Sequence, residues 1–197
     1  ELLYTVTYNN GVSKYALRKI PYVPRVIDVT AGIGIPYSEY AVFNTDETLL
    51  ERAEAYALSG KYAEALKDIN TELTAFSKKK VQLTLDKIKD FYNSQAYYTP
   101  TKPTPKKALN PLFAIEKTTQ EPLLQCLLQL RRILTIHEGF RLQDVKRYGI
   151  TMYRRQVDVQ SKVNALTDSM KVGDPRLAIQ LPQDVISAGI TPNPRNK

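Results

Sequence analysis

The 197-residue sequence has no tryptophan, one cysteine, one histidine and no long run of apolar side chains. Each shortage closes off a class of protein. No stretch approaches the roughly 20 apolar residues of a membrane-crossing helix, and Glu1-Leu2-Leu3-Tyr4-Thr5 carries neither a basic stretch nor a small-residue cleavage site. The single Cys126 excludes an internal disulfide framework and a cysteine-rich zinc site. His137 would have to serve any nucleophile relay alone, about three helical turns from Cys126. Gly32-Ile33-Gly34 lacks the third glycine and the following helix of a dinucleotide loop, and no Gly-Lys-Ser/Thr occurs. Metal-ligand spacing is missing too. The acids gather as Asp46-Glu47, Glu51-Glu54 and Glu64-Asp68, which read as solvated charges on helix faces. The expectation is a protein that is not an enzyme and uses no cofactor and no metal.

What is present is ordinary in bulk and unusual in detail. Hydrophobic residues make up 43% and charged residues 24%, which is globular usage rather than disordered or fibrous. Lys and Arg total 28 against 20 Asp and Glu, a net charge of +8 that draws the chain toward anionic partners. The basic residues are scattered through Lys78–Lys80, Lys102–Lys107, Arg131-Arg132, Lys146-Arg147 and Arg154-Arg155. None of the helix, finger or sheet signatures of a groove reader accompanies them, so nucleic acid is not an expected partner. Cys126 shares a side with Leu130 and Ile133 and is expected to be buried.

Residues 1–43 mix tyrosines and β-branched residues with closely spaced Gly and Pro, the pattern of short strands and loops. The character changes at Asn44, which stands three residues before Glu47 as in a capping box. From there to residue 93 the spacing predicts helices. Leu49, Leu50, Ala53, Tyr56 and Ala57 recur at helical intervals, Gly60 follows as a left-handed stop, and Tyr62, Ala65, Leu66, Ile69, Leu73 and Phe76 resume the period. Two antiparallel helices joined by a tight turn result, and Gly60-x-Tyr62-x-x-Ala65 gives them the look of one tetratricopeptide unit. Thr84 reads as the N-cap of a third helix, with Leu83 and Ile88 as its hydrophobic staple.

Residues 94–120 hold Pro100, Pro103 and Pro105 without apolar periodicity and read as a long exposed loop. Helices resume over 121–149, led by Leu123, Leu127, Leu130 and Leu134. Residues 150–197 read as a proline-containing tail that wraps over other elements. The whole is expected to be a single mostly α domain, with tetratricopeptide-like hairpins and irregular or short-strand segments at both ends.

Thirteen tyrosines without tryptophan suit sugar recognition, because a tyrosine combines a flat apolar face with a hydroxyl. Tyr97 and Tyr98 in the loop are candidate stacking faces, and Asn93 and Gln95 candidate partners for sugar hydroxyls. The plainer reading has these side chains packing the loop.

Three blocks of sequence resemble the SusD/RagB-type outer-membrane nutrient-binding lipoproteins of Bacteroidetes. The first runs from Glu47-Thr48-Leu49-Leu50-Glu51-Arg52-Ala53-Glu54-Ala55-Tyr56 to Asp68-Ile69-Asn70 and is similar to the C-terminal tetratricopeptide helices of that family. The second contains Arg131-Arg132, Glu138-Gly139-Phe140-Arg141, Asp144 and Lys146-Arg147-Tyr148-Gly149. Asp174-Pro175-Arg176, Leu181-Pro182-Gln183-Asp184-Val185 and Asn193-Pro194 form the third. Departures are Leu130 and Leu134, where the family carries acidic residues, and Leu142 and Gln143, where aromatic residues often follow the arginine. The resemblance implies non-catalytic capture of an oligosaccharide at the cell surface and delivery to a SusC-like, TonB-dependent outer-membrane transporter. It further implies that this chain is the C-terminal portion of a longer lipoprotein, tied to the outer membrane only through a lipid anchor outside this chain. The rival reading is a helical-repeat scaffold that binds a protein or peptide. Residue by residue, Arg141 can pair with Asp144 or Glu138, and the remaining arginines can cap helices and form ion pairs.

Overall fold

A computed structural model describes residues 3–7, 11, 13–17, 22–38, 43–136, 138–160 and 162–195. His137 lies outside the described residues. The chain forms two compact units, Glu1–Asn44 and Thr45–Lys197.

The first unit is built of hairpins. Strands β1 (Leu3–Thr7) and β2 (Ser13–Leu17) pair antiparallel, as do β3 (Tyr22–Asp28) and β4 (Ile33–Ser38). In the second pair Pro24 faces Pro36, a position where neither nitrogen can donate to the ladder. Asp28 shapes the turn by accepting hydrogen bonds from the amides of Thr30 and Ala31 at 2.8 and 3.0 Å. Val26, Ile27, Val29, Ile33 and Ile35 are all exposed around this turn.

The second unit is mostly α. Helices α1 (Thr45–Leu58) and α2 (Tyr62–Phe76) fold back on each other, and α3 (Leu85–Ser94) and α4 (Gln120–Leu134) follow. Ala53 and Ala57 of α1 and Ala65 of α2 are fully buried, so small side chains let these two helices approach closely. Leu50, Ile69, Ile88, Tyr92, Leu123, Leu124 and Leu127 pack into the same core, together with Leu109, Leu128, Leu134, Val145, Tyr148 and Ile150, each large apolar side chain worth roughly 1.5–3 kcal/mol on burial. Cys126 is buried with them, and burial pushes its thiol up to about 12.

The turns obey local chemistry. Gly60 has φ +76°, and the amides of Gly60 and Lys61 return to the carbonyls of Ala57 and Tyr56, closing α1 in a Schellman motif. Thr84 caps α3 by accepting from the amide of Lys87, as its sequence position predicts. Asn70 mimics a backbone strand, donating to the carbonyl of Leu83 at 2.9 Å and accepting from its amide at 2.7 Å. Glu116 closes the start of α4: its carboxylate accepts from Thr118, Thr119 and Gln120, which holds it down to about 2. Gln120 then reaches across to the last carbonyls of α1, donating to Ala57 at 3.0 Å and Leu58 at 3.3 Å.

Two acids expected on solvent faces are buried instead. Asp68 is 4% exposed and takes a two-point contact from Arg52, with both N···O distances 2.8 Å, pinning α2 to α1. Glu54 is 7% exposed. Its carboxylate accepts from Arg131 of α4 and from the Nε of Arg147 and the hydroxyl of Tyr148, the last two at 2.7 Å. Arg147 ends the short helix α5 (Arg141–Arg147), and Tyr148 follows it. Arg131 also donates to Asp144 of α5 at 2.6 Å, while Arg141 lies 3.5 Å from the same carboxylate. Burial alone would raise the Glu54 carboxyl, but the charge of Arg131 and the three donors together hold it below its ordinary value. The correction follows from distance in sequence: Arg131 stands 77 residues from Glu54, beyond any local pattern.

Residues 150–197 hold more regular structure than a wrapping tail. Strands β5 (Met152–Val157) and β6 (Val163–Met170) pair antiparallel, followed by a 3-10 turn at Pro175–Leu177 and helix α6 (Gln183–Ser187). Asp158 organises the hairpin turn through the amides of Gln160 and Lys162. Arg176 binds Asp174 through two nitrogens and reaches Asp168 of β6.

Gly149 ends α5 at φ +57°, and a Cβ there would lie 2.2 Å from the carbonyl oxygen of Asn110. The Gly60 position has open space. Gly60→Ala is therefore expected to cost only the backbone penalty of about 1–2 kcal/mol, whereas Gly149→Ala adds an overpacking cost of roughly 1–3 kcal/mol. Urea unfolding of both variants checks the order. Glu54→Gln, which removes the buried anion shared by Arg131 and Arg147 and leaves Arg131 with Asp144 alone, is expected to lose about 1.5–3 kcal/mol in the same measurement.

Candidate functional site

Between α3 and α4 the chain runs through residues 95–119 without helix or strand. It is less exposed than its sequence predicts, because Lys106 and Leu109 are buried and the segment is fastened at several points. The amide of Tyr98 donates to the carbonyl of Lys106 at 2.7 Å, closing the proline-rich tip into a turn. Gln125 of α4, 2% exposed, accepts from the amide of Lys107 at 3.0 Å and donates to its carbonyl. The amide of Asn110 donates to the carbonyl of Tyr148 at 2.8 Å.

The four candidate residues have distinct surroundings. Tyr97 is 42% exposed; its hydroxyl donates to Glu121 at 2.9 Å and the Lys106 ammonium lies 4.5 Å from its ring centre. Burial and the Glu121 carboxylate push the Tyr97 phenol up to about 12. The ring of Tyr98 is occupied by its own chain. It stacks on Tyr153 of β5 at 5.9 Å, with the Lys107 ammonium 3.3 Å and the Arg155 guanidinium 4.5 Å from its centre. Asn93 is exposed and donates to the carbonyl of Thr118 at 3.3 Å. Gln95 is half-buried, and its amide closes α3 by donating to the carbonyl of Tyr92. Tyr97 thus keeps an accessible ring, while Tyr98 serves as a platform for two cations.

Those cations escaped sequence reasoning. Lys107 donates through Nζ to the carbonyl of Thr104 at 2.8 Å. Arg155 reaches from β5 to the carbonyls of Thr99 and Pro100. Arg132 of α4 and Arg141 of α5 also act on Lys107. Burial, and then repulsion from Arg132, Arg141 and Arg155, lowers its amine to about 8. The signal in the sequence was the Lys106-Lys107 pair in the same loop as Tyr97-Tyr98, nine positions later, but Arg155 lies on a strand that was not located. Among the described residues no group of three or more His, Cys, Asp or Glu could hold a metal ion, and no helix is long and apolar enough to cross a membrane.

No protein-family model, no curated protein and no solved structure matches the chain.

The Lys107 amine gives a pH signature with a fixed sign. It loses its proton near pH 8 in the folded chain and near 10.5 when unfolded, so between those values the unfolded chain binds more protons. Folding is then favoured increasingly as pH rises through that window. The stability of the wild type relative to Lys107→Met is expected to increase between pH 7 and 10, as read by urea unfolding at each pH. A difference that stays flat would show an unperturbed amine.

Proposed function

We propose that this chain is part of a non-catalytic, cell-surface glycan-binding component of a SusD/RagB-like outer-membrane uptake system. The observation that carries the reading is the Glu54 cluster. Glu54 belongs to the first of the three sequence blocks, and Arg131, Asp144, Arg147 and Tyr148 to the second, yet they meet in one buried set of ion pairs. Residues singled out for resemblance to one family are thus bound to one another, which supports treating the blocks as parts of one inherited fold. The third block is likewise held by its own motif, through the two-point contact of Arg176 with Asp174.

On this reading α1 and α2 form a tetratricopeptide-like pair, the chain works at the outer membrane beside a TonB-dependent transporter, and a longer parent supplies the lipid anchor. Tyr97 offers a stacking face beside Asn93 and Gln95, and Tyr98 fixes the neighbouring charges. A second reading, a helical scaffold for a protein or peptide, draws on an apolar groove of about 260 Å³ lined by Leu73, Phe76, Leu130, Ile133 and Leu134.

Glycan-array binding by the full-length parent separates the two readings. With a glycan so identified, Tyr97→Ala is expected to weaken binding about two- to twelvefold, from roughly 0.5–1.5 kcal/mol per ring. Unchanged affinity by calorimetry, together with loss of transporter co-purification, would make the loop a protein interface and the sugar assignment wrong.

A further inference from the structure

Like charges are held together around Tyr98 by bonds that leave them little room to separate. The backbone of Lys107 is fixed on both sides by Gln125, and its Nζ is held by the Thr104 carbonyl while sitting 3.3 Å from the Tyr98 ring centre. Arg155 is held against the same ring by the carbonyls of Thr99 and Pro100. Among the described residues no carboxylate pairs with Lys107, Arg155 or Arg132, and Arg141 has only the 3.5 Å contact to Asp144, whose other oxygen is taken by Arg131. A lysine ammonium has three N–H donors and a guanidinium five. The carbonyls engage one on Lys107 and two on Arg155, which leaves donors of both without a partner among the described residues.

This contrasts with three buried carboxylates. Glu54, Asp68 and Asp144 are each matched to arginines within the chain. Around Tyr98 the chain instead spends carbonyl and glutamine contacts on keeping cations close, an arrangement that an incoming anion would relieve. Carbonyl groups orient a guanidinium without neutralising it, so its fork stays available for a carboxylate or sulfate.

Resting on the glycan reading above, we propose that Lys107 and Arg155 on the Tyr98–Tyr153 stack form a subsite for the oxyanion group of an acidic saccharide, a uronate or a sulfated sugar. Burial and then the repulsion of neighbouring cations lower the Lys107 amine, and a bound anion would offset the repulsion. The segment that carries Tyr97 also carries Tyr98 and Lys107, so a sugar ring near the one side chain would bring an acidic substituent toward the others.

The test is calorimetry on the intact chain with trigalacturonate, a sulfated disaccharide, a neutral trigalactoside, inorganic sulfate and an oligothymidylate. At least one acidic saccharide is expected to bind ten times or more tighter than the neutral one, and to weaken at least tenfold between 50 and 500 mM NaCl. The uronate and sulfate arms identify the group. Lys107→Met should lower that affinity at least tenfold and Lys107→Arg should largely retain it. Arg132→Gln, an exposed change with no partner to lose among the described residues, should weaken binding several-fold at an unchanged melting temperature. Equal binding of acidic and neutral sugars overturns the anion subsite and leaves the glycan reading standing. Inorganic sulfate binding as tightly as the sugars overturns the saccharide assignment, and tight oligothymidylate binding overturns it in favour of nucleic acid. Binding of none of the five probes defeats the subsite, while a positive glycan array on the parent would still uphold the broader reading.

Discussion

The second unit depends on one carboxylate. Glu54 stands on α1, yet it takes donors from α4 and from the end of α5, so three helices agree on the position of a single side chain. Apolar contacts between helices tolerate sliding, since one methyl group replaces another at little cost. A buried charge tolerates it less, because a shift that separated Glu54 from Arg131 would strip each desolvated ion of one of its partners. The alanine-lined approach of α1 and α2 makes the core compact, while the ion cluster selects which compact arrangement is adopted. Asp144 extends the selection by holding the other side of Arg131.

The loop between α3 and α4 inherits its order from this frame. Gln125 is positioned by α4, Asn110 bonds to the carbonyl of Tyr148 immediately after α5, and Arg155 arrives from β5. A stretch without regular structure is thereby held by three elements whose own positions are fixed elsewhere. Its aromatic and basic side chains are displayed with much of their ordering entropy already spent in folding, which is the condition under which a surface loop can bind with useful affinity. The basic character of the chain takes a specific form here. A global excess of cations is a diffuse property, but cations that share one aromatic ring make a local one.

Much of the helical frame could be read from the sequence. The 3.6-residue spacing of Leu50, Ala53 and Ala57, and of Leu123, Leu127 and Leu134, located α1 and α4 because each helix buries a continuous stripe. Gly60 and Thr84 were legible because their roles are set by backbone chemistry within a few residues. The fates of Glu54 and Asp68 were not. An acid on an amphipathic helix looks the same in sequence whether it faces water or an arginine from a distant helix. Strand β5 was hidden for a related reason: Met152-Tyr153-Arg154-Arg155-Gln156-Val157 lacks apolar alternation, since its more buried positions are Tyr153 and Arg155. Of the candidate site, Tyr97 and Tyr98 were visible as an aromatic pair, but the cations on Tyr98 come from two segments 48 residues apart.

The two hydrogen bonds from Gln125 to the backbone of Lys107 have a dynamic consequence. They give a residue outside any helix or strand the amide environment of one inside, since both of its main-chain polar groups face a buried side chain. Proton exchange at the Lys107 amide then requires α4 to open or Gln125 to let go, and its rate would track the subglobal opening of the helix rather than local loop motion. The residues from Lys102 to Pro105 on one side and from Pro111 to Ala114 on the other would breathe as separate short spans about that fixed point. A long segment in the sequence is, mechanically, two brief ones.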